Sequence, residues 1–209
     1  MHKHNADVID EGFFGQFFFM EKAWTFDYMK KEVILHAALN LSEADIHTQK
    51  VGFKKDLLGN PRFGHPSFFM KVGEDEIPML FDTGATFNLS EGAQDSLKTK
   101  SSIGGSFIAQ SVFQEWQETH PEWRVIVGGD VINENGNEYA FDMIEVPLVE
   151  LGGIPVGPVW FSMRPDAAWS KGMIRTMDKV VKGALGGSAL KYLSVSIDYK
   201  NELLAFKQP

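Results

Sequence analysis

The feature that most constrains this chain is an apolar segment that runs into one acidic residue and then turns. Residues 77–81 (Ile-Pro-Met-Leu-Phe) are followed directly by Asp82, Thr83 and Gly84. An apolar run of this length that ends near a glycine predicts a buried strand followed by a turn. A carboxylate at the end of a buried strand is costly unless hydrogen-bond donors replace its water. The Thr83 hydroxyl and the backbone N–H groups at Gly84 can act as those donors.

The segment Phe81-Asp82-Thr83-Gly84-Ala85 resembles the active-site loop of the pepsin and retropepsin type of aspartic peptidases. In that family, two hydrophobic residues precede Asp-Thr-Gly-Ser or Asp-Thr-Gly-Ala. A second element lies downstream and consists of a hydrophobic pair, a glycine, a short helix and a strand. Residues 184–186 (Ala-Leu-Gly) and the following residues 187–199 fit it. In the family this pair packs behind the catalytic loop, and the resemblance extends over residues 63–207.

The resemblance implies a mainly β fold, a retropepsin-like acid protease barrel with two or three short helices. It implies that Asp82 is the catalytic acid, that the Gly84 N–H supports its carboxylate, and that Thr83 bonds to a facing loop. No cofactor or metal is expected. Ala85 stands where pepsins have serine, and we place it among the substrate-binding residues. Because alanine has no hydroxyl to stabilise the ionised aspartate, we expect a less acidic pH optimum than that of pepsin.

The two ends of the chain resemble each other at a constant offset of 171 residues, which indicates an internal repeat. Residues 12–28 align without a gap with residues 183–199. The identical pairs are Gly12 and Gly183, Gly15 and Gly186, Asp27 and Asp198, and Tyr28 and Tyr199. We therefore predict a partial lobe at residues 1–36, which resembles the end of a retropepsin-like lobe. A connecting segment at residues 37–62 and a complete lobe at residues 63–209 follow.

The partial lobe has more than one explanation at this stage. Either the sequence is a fragment from which a first lobe was removed, or the N-terminal piece is a remnant that packs onto the complete lobe and extends its sheet. A coincidental match between two apolar segments is the third explanation.

Composition excludes several classes of function. The formal net charge is −8, whereas a nucleic-acid partner needs a basic surface. No apolar run approaches the roughly 20 residues of a membrane span. Cysteine is absent, which excludes disulfides and thiolate metal sites, and the histidines show no metal-binding spacing. The N-terminus lacks a signal-peptide pattern, and the sequence leaves the compartment open.

Periodicity in the rest of the chain predicts short strands and a few helices. We expect strands or hairpins at residues 24–35, 68–81, 124–144 and 146–161, and amphipathic helices at residues 110–119 and 167–181. In retropepsins a mobile, glycine-tipped hairpin covers the substrate some tens of residues after the aspartate. Residues 101–108 are the candidate here, with Gly104 and Gly105 in contact with the substrate, and an ordinary turn is the alternative.

Hydrolysis by this family needs two carboxylates that share one proton. The ionised acid takes a proton from the attacking water, while the protonated acid hydrogen-bonds the scissile carbonyl and later protonates the amine. Only Asp82 is followed by Thr-Gly or Ser-Gly. We therefore expect the second acid from Asp82 of a homodimer mate or from a missing first lobe, and an extended peptide as the substrate. The alternative is a catalytically silent module of the same fold that binds a peptide or protein partner.

Overall fold

The computed structural model describes residues 15–42 and 45–208, so the predicted match of Gly12 with Gly183 lies outside the described part. Within it the chain is mainly β, as predicted, with sixteen strands in three sheets and four short α-helices. The helices are α1 (Gln16–Phe19), α2 (Glu91–Leu97), α3 (Gln110–Thr119) and α4 (Gly187–Leu190). No helix among these described residues is long and apolar enough to cross a membrane.

The strands are short and follow one another along the whole described chain. In chain order they are β1 (Ala23–Asp27), β2 (Glu32–His36), β3 (Ile46–Lys50), β4 (Ser67–Val72), β5 (Asp75–Phe81), β6 (Thr86–Asn88), β7 (Ser102–Gly104), β8 (Phe107–Ala109), β9 (Val125–Glu134), β10 (Asn137–Val146), β11 (Val149–Leu151), β12 (Ile154–Val156), β13 (Val159–Arg164), β14 (Gly183–Leu185), β15 (Ser194–Asp198) and β16 (Leu203–Lys207).

Two large sheets and one small sheet contain these strands. The nine-stranded sheet has the order β12-β11-β4-β5-β14-β8-β13-β10-β9, and the five-stranded sheet has the order β2-β1-β15-β16-β3. Strands β6 and β7 form a separate pair. Among the described residues no sheet closes on itself, because β12 and β9 remain the two ends of the larger one. The predicted mainly β class is therefore confirmed, and the sheets of this part of the chain do not form a closed barrel.

The core lies between the two large sheets and is rich in aromatic side chains. The ring of Phe26 in β1 lies 6.2 Å from that of Phe81 in β5, and Phe68 in β4 lies 6.3 Å from Phe206 in β16. Buried aromatic rings contribute large apolar areas, so these contacts hold the sheets together. One consequence is that β5, which leads to Asp82, packs against β1, while its neighbour β4 packs against β16.

Two predicted elements differ from the structure. Residues 101–108 do not form a hairpin, because β7 pairs with β6 while β8 pairs with β13 and β14. Residues 167–181 form only a π-helical turn (Ala168–Gly172) and a 3-10 turn (Met173–Arg175), since the backbone at Gly172 leaves the helical region. The predicted helix α3 and the hairpins β1–β2, β4–β5 and β9–β10 are present. The hairpin predicted at residues 146–161 is shorter, because β11 pairs with β12 while β13 pairs with β10 and β8.

Candidate active site

The Asp82 loop is anchored from behind by strand β14. This strand runs parallel to β5, with Leu185 opposite Phe81, and the Asp82 N–H donates to the Leu185 carbonyl at 3.0 Å. Directly after β14, a Cβ at Gly186 would lie 2.7 Å from the Asp82 carbonyl oxygen. Only a residue without a side chain fits that approach. The hydrophobic pair and glycine noted in the sequence therefore lie behind the loop.

The carboxylate of Asp82 is held by the backbone of its own loop. The Gly84 N–H donates to Asp82 Oδ1 at 3.0 Å, and the Thr86 hydroxyl donates to the Gly84 carbonyl at 3.0 Å, which fixes the turn. Burial raises the pKa of Asp82, while the N–H of Gly84, the charge of His65 and the N–H of Ala85 oppose that rise. An aspartate with a raised pKa at the wall of a cleft is typical of acid–base sites.

Asp82 opens on a pocket of about 440 Å³. Its floor is the loop from Phe81 to Gly84, and its other walls come from the N-terminal elements and from the segment before β4. The wall residues outside the loop are Gln16, Phe19, Phe26, Gly64, His65 and Tyr199. Aromatic side chains dominate the walls, and Asp82 is the only carboxylate that reaches this pocket among the described residues.

A second pocket, of about 350 Å³, lies beside Thr83 and is lined by Tyr28 and other residues of the β1–β2 hairpin. Burial raises the pKa of Tyr28, and the negative charge of Asp82 adds to that rise. The Tyr28 ring is thus close enough to feel the carboxylate. Thr83 lies between the two pockets, and in the described chain no hydrogen bond to its hydroxyl is found.

His65 is a second group of the main pocket that can titrate near neutral pH. Its Nδ1 lies 2.9 Å from Thr176 Oγ1. Burial lowers the pKa of His65, whereas the Asp82 carboxylate raises it. Sequence reasoning missed His65 because a single histidine before a proline belongs to no motif. It also missed Tyr28, whose only signal was its match with Tyr199 in the repeat.

The other predicted site residues lie behind the loop rather than on the pocket wall. The Ala85 side chain is 5% exposed and faces Gly186. The Gly105 N–H donates to the Ala85 carbonyl at 2.8 Å, and Gly104 packs against the backbone of Gly187. These positions support the Asp82 loop from behind. The flap prediction depended on a hairpin at residues 101–108, which does not form. Contact of Ala85, Gly104 or Gly105 with a substrate stays a prediction.

Asp130 is a structural acid. Its Oδ1 accepts from the Asn88 N–H at 2.8 Å, and its other oxygen pairs with the guanidinium of Arg164. The carboxylate is buried, and each of its two oxygens has a partner within the protein. The contact ties β6, which follows the Asp82 loop, to the long β9–β10 hairpin.

The elements around the pocket are arranged about a local two-fold axis. The bounds of α1, β1 and β2 equal those of α4, β15 and β16 shifted by the same 171 residues. Strands β1 and β15 pair with each other in a register whose centre is Thr25 opposite Ser196. These two hydroxyls, themselves 171 residues apart, hydrogen-bond at 2.6 Å. If α1, β1 and β2 exchange places with α4, β15 and β16, the register between β1 and β15 stays the same.

Comparisons with known proteins find a similarity in structure but no match in sequence. No protein-family model and no curated protein matches the sequence. Among solved structures, the chain is similar to a retropepsin-like aspartic protease from Rickettsia conorii, with 14% identity and a TM-score of 0.42. The similarity covers 81% of this chain and 98% of that protein. Because a similarity this low supports no argument about activity, the proposals below depend on the residues of this chain.

Proposed function

We propose that this chain provides a catalytic loop of a retropepsin-like aspartic endopeptidase, with Asp82 as the acid that activates water. The observation that carries the proposal is the setting of Asp82. Its carboxylate ends a buried strand, accepts the Gly84 N–H at 3.0 Å, and opens on a pocket with aromatic walls. A desolvated carboxylate with one fixed donor is able to take a proton from water and return it to an amine.

We also propose that residues 1–36 are a partial lobe related to the end of the lobe at residues 63–209, with residues 37–62 as the connection. The matching bounds of the paired elements and their symmetric register support this division. In this arrangement the β1–β2 hairpin takes the place that a complete first lobe would occupy at the interface. Coincidence of two apolar segments does not explain why the elements pair with each other around one axis.

The second proton-carrying group determines whether the chain is active alone. In a retropepsin-type homodimer the C-terminal strand would pair with its mate across the axis. Here β1 of the same chain fills that edge of β15, and β16 fills the other. A second copy therefore brings its Asp82 to the axis only if residues 23–36 leave β15.

The substrate that fits the site is a peptide with an apolar side chain next to the scissile bond. The rings of Phe19, Phe26 and Tyr199 line the pocket into which Asp82 opens, and they offer apolar surface at the reacting position. The peptide backbone would be held extended, as in other cases in which a strand binds beside a sheet.

Cleavage of a mixed peptide library between about pH 3 and pH 8 tests the proposal, because the acid must be ionised for part of the cycle. We expect cleavage beside apolar residues, inhibition by a statine peptide, and loss of cleavage in Asp82→Asn. The matched control is Asp75→Asn, since Asp75 is an exposed acid at the opposite end of the same strand. Equal activity of natural chain and Asp82→Asn would refute the assignment.

One observation favours the alternative function, a silent module that binds a peptide or protein partner. Only one carboxylate reaches the pocket among the described residues, whereas the reaction of this family uses two. In that case the statine peptide binds to the natural chain and to Asp82→Asn with similar affinity, and neither protein cleaves peptides. Calorimetric binding together with an absence of cleavage at every pH would establish the binding module.

A further inference from the structure

We propose that His65 faces Asp82 across the local two-fold axis and takes, within this chain, the place of the second acid. The inference deepens the proposed function and rests on it, because it concerns the same pocket. The local axis relates α1 to α4, which follows Gly186 behind the Asp82 loop.

The first indication is the contact of Gly64 with helix α1. On one side of the axis, the Asp82 loop packs against Gly186, the residue before α4. On the other side, Gly64 packs against Gln16, the first residue of α1, and α1 is the equivalent of α4. The Gly64 N–H donates to Gln16 Oε1 at 2.7 Å, and a Cβ at Gly64 would lie 3.0 Å from the Gln16 carbonyl oxygen. Gly64 thus contacts α1, although less closely than the Asp82 loop contacts Gly186, because a Cβ at Gly15, the equivalent of Gly186, would meet nothing within 4 Å.

The second indication is the pair of equivalent tyrosines. Tyr28 lies against the catalytic loop, since it lines one pocket together with Thr83 and feels the charge of Asp82. Its equivalent, Tyr199, donates its hydroxyl to the Gly64 carbonyl at 3.3 Å. The contacts of Gly64 with Gln16 and Tyr199 therefore put the segment that carries His65 on the side of the axis opposite the Asp82 loop. The side chain of His65 then lines the same pocket as Asp82.

The hydrogen bonds of His65 determine which nitrogen is available for chemistry. The Thr176 hydroxyl donates to the Met173 carbonyl at 3.2 Å. The same oxygen is then an acceptor for His65 Nδ1, 2.9 Å away, so Nδ1 carries a proton. Nε2 is therefore the atom that gains and loses a proton as the pH changes.

The pair can perform the family's hydrolysis with one proton between its two members. With Asp82 ionised and His65 protonated, a water gives a proton to Asp82 and its oxygen bonds to the scissile carbon, while the Nε2–H of His65 hydrogen-bonds the resulting oxyanion. The carbon–nitrogen bond then breaks, the carbonyl forms again, and Asp82 gives its proton to the leaving amine. The acid product releases a proton to water, so both groups return to their starting state.

Few other titratable groups among the described residues reach the pocket of Asp82 and His65. The titratable side chains that reach it, in the described chain, are Asp82, His65 and Tyr199, and Tyr28 adjoins Asp82 from the second pocket. Burial raises the pKa of both tyrosines well above neutrality, so they stay uncharged while the pair titrates. Among the described residues, a charge change in the pocket at mildly acidic pH then belongs to Asp82 or His65.

An NMR titration tests the pairing without any need for activity. The imidazole nitrogens of His65, assigned with His65→Gln, are followed from about pH 4 to about pH 8 in the natural chain and in Asp82→Asn. We expect the midpoint of His65 to shift downward in Asp82→Asn, because the carboxylate that stabilises the imidazolium is gone. The same midpoint in both proteins, with near-UV circular dichroism unchanged, would overturn the proposal.

Kinetics test the catalytic part and separate the two proposals. We expect His65→Gln to lower kcat/KM by about 10²–10³ and to remove the fall of the rate at higher pH. His65→Asp restores a two-carboxylate pair, so it should retain cleavage with that fall moved to lower pH. His120→Gln is the control, since His120 stacks on Trp123 at the surface. An unchanged rate and profile in His65→Gln overturns the role of His65 but leaves Asp82 as the acid. If the natural chain cleaves nothing at any pH, the proposed function is wrong, and the titration alone decides the pairing.

Discussion

At the scale of single residues, Gly186 shows how the Asp82 loop depends on close backbone approach. An alanine there would place its Cβ 2.7 Å from the Asp82 carbonyl oxygen and 2.7 Å from the Ala85 Cβ. We expect Gly186→Ala to lower the free energy of unfolding by about 1–3 kcal/mol, because backbone on both sides must shift. Urea denaturation measures it. The control is Gly92→Ala in α2, where a Cβ meets nothing within 4 Å and helix propensity favours alanine.

The buried charge of Asp82 leads to a second prediction for a single residue, which concerns thermal stability. Burial raises the pKa of Asp82 in the folded chain above its value of 3.8 in the unfolded chain. The folded state therefore binds the proton more tightly, and this contribution to stability is lost as the pH rises through the folded pKa. Asp82→Asn carries no charge, so we expect it to have a higher Tm than the natural chain at neutral pH.

The Tm difference between the natural chain and Asp82→Asn has a control at low pH. Below pH 3.8 both the natural side chain and asparagine are neutral, so the Tm difference between the two proteins should shrink there. A natural chain that is more stable than Asp82→Asn at neutral pH would mean that hydrogen bonds outweigh the burial of the charge.

At the scale of elements, strand β2 has an edge that pairs with no other strand among the described residues. Its equivalent, β16, has the matching edge covered by β3. Three apolar side chains of β2 are exposed: Val33, Ile34 and Leu35. An exposed apolar edge of this kind invites pairing with another chain. We therefore expect the protein to self-associate as its concentration rises, measured by sedimentation velocity.

A charge on that edge should prevent the association. We expect Ile34→Lys to shift the sedimentation profile toward the monomer without loss of Tm, since the side chain is 40% exposed. Leu57→Lys is the control, because Leu57 is a fully exposed apolar residue in a turn rather than on a strand edge. Equal self-association of all three proteins would exclude the β2 edge as the contact.

The elements also show what the sequence could and could not predict. Hairpins such as β4–β5 and β11–β12 were predictable because local alternation and glycine turns encode them. The segment at residues 101–108 was not, because its strands pair with partners that are distant in sequence: β7 with β6, and β8 with β13 and β14. Asp82 stood in a local motif, whereas His65 gains its meaning only from α1 and Tyr199, which fold against the segment before β4.

At the scale of the whole molecule, the structure depends on the contact between the N-terminal segment and the rest of the chain. Strand β1 is buried along its whole length between β2 and β15, and Trp24 and Phe26 belong to the main core. Loss of one large aromatic side chain from a core costs about 3–5 kcal/mol, and whole domains are stable by about 5–15 kcal/mol. Removal of residues 1–36 should therefore abolish cooperative unfolding of residues 37–209.

A synthetic peptide of residues 1–36 should restore the fold when it is added to the shortened chain. Its β1 would pair again with β15, through the five backbone pairs centred on Thr25 and Ser196. The measurements are the recovery of a cooperative thermal transition and of near-UV circular dichroism as peptide is added. The matched control is the same peptide with Trp24→Ala and Phe26→Ala, which retains the strand but not the core contact.

The shortened chain without peptide also distinguishes the two ways in which the axis could be filled. If β15 is the natural contact of a homodimer, removal of β1 frees that edge, and residues 37–209 should fold as a dimer that the peptide dissociates. If the N-terminal segment is an integral part of this lobe, the shortened chain stays unfolded, and the peptide produces a one-to-one complex. We expect the second result, because β1 is buried along its whole length against β15 and Gly64 contacts α1. Sedimentation equilibrium with and without peptide separates the two.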